Sequence, residues 1–244
     1  MKLSAILTFH GEAFLGAPSV RSAEASIRHF LAERPGSEVE AVVYLDRPTA
    51  RMREAASSIV PPGWAVHELD FGDQGAVRNH AAGAAAGEYI AFLDGDDLWS
   101  ENWLARAADR MDEMGGKAIV HPELYYFFEG SNNVLVVPDS TTGEIDPLLL
   151  CFVNPWDALC FSPREVHLIF PYAKRDISAG FAYEDWQWSF ETFLAGWPHV
   201  PAADSIIFKR RRADSQTTKA SARNVLTNRA AFHSLKRLSE LANA

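Results

Sequence analysis

Over the first half of the chain, short apolar runs alternate with segments whose apolar residues return at every third or fourth position, so strands alternate with amphipathic helices. The runs at Leu3–Phe9, Val39–Asp46, Trp64–Leu69 and Tyr89–Leu93 read as strands. Between them lie a helix over APSVRSAEASIRHFLAER, a second from about Thr49 to Ile59, and an Ala-rich third, QGAVRNHAAGAAAG, closed by Gly87. Such short alternating units predict an α/β fold, a mostly parallel sheet with helices on both faces.

The rhythm changes after Lys117. AIVHPELYYFFEGSNNVLVVP reads as antiparallel strands joined through an Asn-containing turn. Pro- and aromatic-rich connections run to about Gly180, EDWQWSFETFLAG is a helix capped at Gly196, and SIIFKR is a last strand. An amphipathic packing helix is expected from about Ala220 to Leu241, carrying Arg229, Lys236 and Arg237. No repeat or linker interrupts the chain. The expectation is one domain over 1–244: a donor-side half to about 117, an acceptor-side half from about 118 to 205, and a closing segment from about 206.

The net charge of −9 argues against an extended nucleic-acid-binding face; KRRR at Lys209–Arg212 is the one dense basic run. No apolar stretch approaches the ~20 residues of a membrane span, and no signal peptide is legible at the N-terminus. Cys151 and Cys160 lack metal or redox spacing and are expected as reduced, buried thiols in a cytoplasmic protein, with the inner membrane face as a peripheral alternative. The histidines show no zinc spacing; His10 and His80 are the two expected near a site.

The chemistry concentrates in EYIAFLDGDDLWSENWL. A buried strand there runs into Asp94, Asp96 and Asp97, with Ser100 expected as the N-cap of the next helix. Ligands of open α/β sheets sit beyond the carboxyl ends of the strands, where Asp46 and His10 also fall. Clustered carboxylates call for a cation, and a hard divalent ion is held by one or two carboxylates plus phosphate oxygens. The alternative is a solvated acidic turn favoured by a helix dipole.

GAVRNHAAGAAAGEYIAFLDGDDLW resembles the segment bearing the DXD motif in family 2 glycosyltransferases of GT-A fold. GFAYEDWQWSFETFLAG is similar to that family's Glu-Asp-Trp helix, LCFSPREV to the strand-to-helix step before it, and FKRRRADSQTT to the late basic segment ending in a Ser. Two places depart from the family: HGEAF replaces the Tyr-Asn after the first strand, and LDRPTA, with Asp46 alone, replaces an Asp-Asp-x-Ser segment.

The resemblance implies an inverting glycosyltransferase using Mn²⁺ or Mg²⁺. It implies a nucleotide-diphospho-sugar donor, foremost a UDP-sugar, and a hydroxyl acceptor such as a glycan or lipid-linked glycan, in cell-surface polysaccharide or glycoconjugate synthesis. Carried over residue by residue, Asp94 contacts the ribose, Asp96 holds the metal, and Asp97 supports it. Asp46 and Arg78 position the nucleotide, Arg210 and Arg212 hold the diphosphate, Asp185 is the base and Glu184 orients it. Plainer alternatives stand beside these roles: a strand-ending turn for Asp46, a solvated helix turn for Arg78 and Asn79, dipole-favoured acids for Glu184 and Asp185, a solvated run for Lys209 and Arg211, and core packing for Trp99, Trp103, Trp156, Trp186 and Trp197. A nucleotidyltransferase and a non-catalytic nucleotide- or carbohydrate-binding module are the competing functions.

Overall fold

The structure is a computed structural model that describes residues 1–11, 15–143, 145–212 and 225–227. The Ser215 of the late basic segment and most of the expected C-terminal helix lie outside the described residues; within that helix's expected span, Leu226–Thr227 is instead a short strand paired with Phe181–Ala182.

The first half of the chain follows the predicted alternation: β1 (Lys2–Phe9), α1 (Gly16–Glu33), β2 (Glu38–Asp46), α2 (Ala50–Ile59), β3 (Ala65–Leu69), α3 (Gln74–Ala84) and β4 (Tyr89–Asp94). A two-residue β5 (Leu98–Trp99) and α4 (Trp103–Glu113) follow. The second half holds β6 (Ile119–Glu129), β7 (Asn133–Val136), β8 (Phe161–Pro163), α5 (Arg164–Ile169), β9 (Phe181–Ala182), α6 (Glu184–Leu194), β10 (His199–Arg211) and β11 (Leu226–Thr227). Both cysteines are free thiols, Cys160 buried and Cys151 half-buried. Among the described residues no helix is long and apolar enough to cross a membrane.

One sheet runs through both halves in the order β3-β2-β1-β4-β8-β6-β10-β5, with β7 on β6. β1, β2, β3 and β4 are parallel, β8 is antiparallel to β4 and to β6, and β6 and β10 are parallel. β1 is buried at every position from Leu3 to Phe9 because both faces are covered, which is why it reads as a mostly apolar run broken only by Ser4 and Thr8. Helices α1, α2 and α4 pack together, and α3 packs on α5. The chain leaves β1 toward β2 on one side and returns to β4 on the other. The carboxyl ends of β1 and β4 therefore flank the switch point where such sheets bind ligands.

Two local expectations change. Ser100 does not cap a helix: its hydroxyl accepts from the Ile206 amide at 3.1 Å, joining β10, and α4 starts at Trp103 with Asn102 at its N-cap. The Ala-rich helix ends at Ala84 rather than Gly87. Gly87 is needed for closeness instead, since a Cβ there would overlap the β1 backbone at Leu3 and Ser4.

Candidate functional site

The end of β4 is built around Asp94. Its Oδ1 accepts from Thr8 Oγ1 at 3.1 Å, Gln74 Nε2 at 2.6 Å and Arg78 Nη2 at 2.8 Å. Thr8 comes from the neighbouring strand, while Gln74 and Arg78 lie one turn apart on α3, whose N-cap Asp73 accepts from the Ala76 amide at 2.8 Å. Gly95 follows because a side chain there would run into the Phe9 ring. Burial opposes the charge on Arg78, but Asp94, with Tyr172 and Glu184 behind it, holds its pKa above the ordinary guanidinium value.

Asp94 lines a pocket of about 110 Å³ together with His10, Asp46, Asp96, Asp97 and the row Lys209–Arg212. Asp46 is buried; its Oδ1 accepts from the amides of Phe71 (2.8 Å) and Gly72 (3.1 Å), and its Oδ2 lies 3.2 Å from His10 Nδ1. It thus closes the turn after β3 while facing the pocket. Asp96 Oδ2 lies 3.1 Å from Arg212 Nε, and Arg210 Nε donates to the Asp96 carbonyl at 3.1 Å. Burial and then Asp94 raise the pKa of Asp96, against the pull of Arg212 and Lys209. Asp97 accepts the Arg210 amide at 2.7 Å. Burial pushes its pKa up to about 7, with Lys209 pulling down and Asp94 and Asp96 pushing up.

Gln74, Asp94, Lys209 and Arg211 form a wall shared with a second, larger cleft of about 400 Å³. This cleft holds Asn154, Asp157, Arg175, Glu184 and Asp185, with Tyr125, Trp156, Tyr183 and Trp186 around them. The turn into α6 is strained: Tyr183, its N-cap, sits in the left-handed region at φ 62, and the next two residues are the acids. Glu184 is buried between Arg78 Nη1 at 4.0 Å and Arg175 Nε at 3.6 Å. Among the described residues no cation lies so near Asp185. Asn154 Nδ2 donates to its Oδ2 at 3.4 Å. Burial, then Glu184 and Asp157, push its pKa up to about 7, with Arg78 opposing.

All the sequence-predicted site residues therefore line or adjoin two joined pockets: Asp46, Asp94, Asp96, Arg210 and Arg212 in the smaller, Arg78, Asp94, Glu184 and Asp185 in the larger. His80 stands beside them only through ring contacts with Tyr44 and Phe71. Trp156 and Trp186 face the cleft, while Trp99 and Trp103 are core and Trp197 packs at a core edge. Lys209 and Arg211 do alternate away from Arg210 and Arg212, as a strand requires. Their side is the wall between the two pockets, where Lys209 is largely buried and Arg211 stays exposed, its guanidinium over the Phe127 ring. Asp157, Arg175 and Asn154 carried no motif. A lone acid after a Trp and an Arg in an irregular loop give no periodic or spacing signal, and they become visible once the sheet brings β4, β8, β6 and β10 side by side.

The family model for glycosyl transferase family 2 matches residues 4–150. No curated protein matches the sequence. Among solved structures, the chain is similar to S. aureus TarS 1-349 in complex with UDP-GlcNAc, at TM-score 0.64 and 17% identity, over 100% of this chain and 72% of that one. The same protein in complex with UDP gives TM-score 0.62 at 18% identity, over 100% of this chain and 71% of that one. A longer S. aureus TarS chain, of which 43% is covered with 100% of this chain, gives TM-score 0.62 at 17% identity. At such identities the likeness speaks for the fold, which is that of GT-A glycosyltransferases.

Proposed function

The chain belongs to glycosyl transferase family 2 and is a glycosyltransferase, and from that premise we propose that it moves a sugar from a nucleotide-diphospho-sugar to a hydroxyl acceptor with inversion at the anomeric carbon. One observation carries this reading: a carboxylate raised to about 7, Asp185, faces a cleft that opens across a shared wall into a pocket rich in guanidinium groups. The smaller pocket takes the nucleoside diphosphate, with Asp46 and Asp94 toward the nucleoside and Arg210 and Arg212 toward the phosphates. Guanidinium forks suit phosphate oxygens. The larger cleft takes the sugar and the acceptor. UDP-GlcNAc in the TarS structure makes a UDP-sugar the first donor to test.

The residues present fit a divalent ion at Asp96. Among the described residues no set of three His, Cys, Asp or Glu side chains is gathered to hold a metal by itself. Asp94 Oδ1 already accepts from three donors. Asp96, raised by burial and by Asp94, is the carboxylate whose charge a further cation would favour. One carboxylate plus phosphate oxygens is a normal Mg²⁺ or Mn²⁺ donor set. When bound, such an ion neutralises the departing diphosphate.

In the reaction, Asp185 takes the proton of the acceptor hydroxyl as its oxygen bonds to the anomeric carbon, and the bond from that carbon to the diphosphate oxygen breaks with its electron pair leaving on the diphosphate. Arg210 and Arg212 hold that leaving group. Glu184, fixed between Arg78 and Arg175, orients the start of α6 and so the base beside it. A base on one face and the leaving group on the other permit a single in-line displacement, which inverts configuration. The test is transfer from an α-linked UDP-sugar with Mn²⁺, the product linkage read by NMR and donor affinity by titration. Asp185→Asn is expected to lower turnover by ~10²–10⁴-fold with donor affinity unchanged. A retained linkage, or an Asn variant at wild-type rate, overturns the assignment.

A further inference from the structure

A chain of polar contacts runs from the donor-side loop to the base. Lys209 Nζ lies 3.3 Å from Asp97 Oδ2 and 2.7 Å from Asp157 Oδ2, with the lysine side chain only 12% exposed. Asp157 Oδ1 is fixed in turn by the Leu159 amide at 3.0 Å. Three residues before Asp157 stands Asn154, whose amide donates to Asp185. The span between them is stiff. Pro155 fixes its own φ. Trp156 is buried, its Nε1 donates to the Pro138 carbonyl at 3.3 Å, and its ring stacks on His199 with centroids 4.1 Å apart. A displacement of Asp157 is therefore passed to Asn154.

Lys209 lines both pockets, yet it is not placed as a phosphate ligand. Two of its three donors face carboxylates, and a buried ammonium is tolerated only when paired in this way. Burial works against its charge, and Asp157 and Asp97 more than offset it. We propose that Lys209 is a positioning residue for transfer: it ties the Asp97 loop on the donor side to the Asn154–Asp157 segment on the acceptor side, and so sets Asn154 against Asp185. This rests on Asp185 being the base.

The test separates positioning from stability. Lys209→Met alone strands Asp157 as a buried unpaired charge and lowers Tm. Adding Asp157→Asn removes that charge and recovers part of the lost Tm, the rest staying with Asp97, which has lost the same cation. Turnover of the double variant is expected to stay about 10- to 100-fold below wild type, the cost of a small misplacement of reacting groups. Lys209→Arg, which keeps the charge, retains most of the turnover. A second readout needs no turnover: the ¹³C resonance of the Asp185 carboxyl, assigned by its loss in Asp185→Asn and read well above its titration range. It is expected to move in the double variant as it does in Asn154→Ala. Turnover that returns with Tm, or a resonance that stays at its wild-type position, overturns the proposal. A wild-type protein that transfers from no nucleotide sugar counts against the proposed function, and the resonance then decides on Lys209 by itself.

Discussion

Arg78 donates through one nitrogen to both oxygens of Asp94, at 2.8 and 3.1 Å, with the guanidinium almost wholly removed from solvent. This pair joins α3 to the end of β4, and the other side of the same guanidinium faces Glu184 at the start of α6. Breaking one side of a buried pair is costly because the surviving charge has no water to turn to. Arg78→Met is expected to destabilise the protein by about 3–5 kcal/mol in urea unfolding, and Arg78→Met with Asp94→Asn to recover part of it. A single variant within about 1 kcal/mol of wild type would show that the pair is solvated, as surface pairs are.

The metal assignment has its own measurement. Asp96→Ala is expected to weaken binding of a nucleoside diphosphate strongly in Mn²⁺ and little in chelator, because the aspartate acts through the ion. Equal affinity of mutant and wild type in Mn²⁺ rejects it.

In the proposed mechanism turnover requires Asp185 in its ionised form. Because burial, Glu184 and Asp157 lift its pKa to about 7 against Arg78, kcat/KM should climb about tenfold per pH unit below that value and level off above it. The effect on stability runs the other way. With the folded pKa raised above the unfolded carboxylate value, the folded state holds the proton longer, so the contribution of Asp185 is fullest at low pH and is lost as pH rises to about 7. A rate profile whose acid limb lies in the ordinary carboxylate range would place the base elsewhere.

Acid should unfold the protein through its buried imidazoles. Burial lowers the pKa of His121 and of His167 to about 3, and of His199 well below its usual value. His121 Nε2 and His199 Nδ1 lie 2.9 Å apart, and His167 Nε2 lies 2.8 Å from Ser162 Oγ. The unfolded chain takes up protons below about pH 6.5 while the folded one does not, so these residues make stability fall as pH drops from there toward about 3. Replacing His167 with Phe should reduce the fall between pH 6.5 and 5 by about 2 kcal/mol, one proton over that interval. An unchanged slope would mean that His167 already titrates in the folded state.

What the sequence disclosed, and what it hid, follows from range. β1, β2 and β4 were legible because strands covered on both faces leave mostly apolar runs, unbroken from Tyr89 to Leu93 and interrupted only by Ser4, Thr8 and Glu40 in the other two, and the acids of EYIAFLDGDDLW stood out because they break one. Thr49 was legible as the start of α2 because its cap is local: it accepts from the Met52 amide at 3.2 Å. Ser100 misled for the opposite reason. Its hydroxyl is claimed by Ile206, on a strand that arrives 106 residues later. Lys209 sits between those cases. Its alternation along β10 was readable, but the side it alternates toward was set by Asp157 in the connection between β7 and β8, for which no local pattern exists.

The wall that the two pockets share has a consequence for how such an enzyme can change over generations. Gln74, Asp94, Lys209 and Arg211 border both the pocket proposed for the donor and the cleft proposed for the acceptor. A substitution there that accommodates a different sugar nucleotide also reshapes the acceptor cleft. Drift toward new donors is thus steered to positions off the wall, such as Asp46 and His10, which border the smaller pocket alone. New acceptors are steered to Phe152 and Val153, which border the larger cleft alone. The two preferences can then diverge independently at the rims, while the strand between them stays constrained by both.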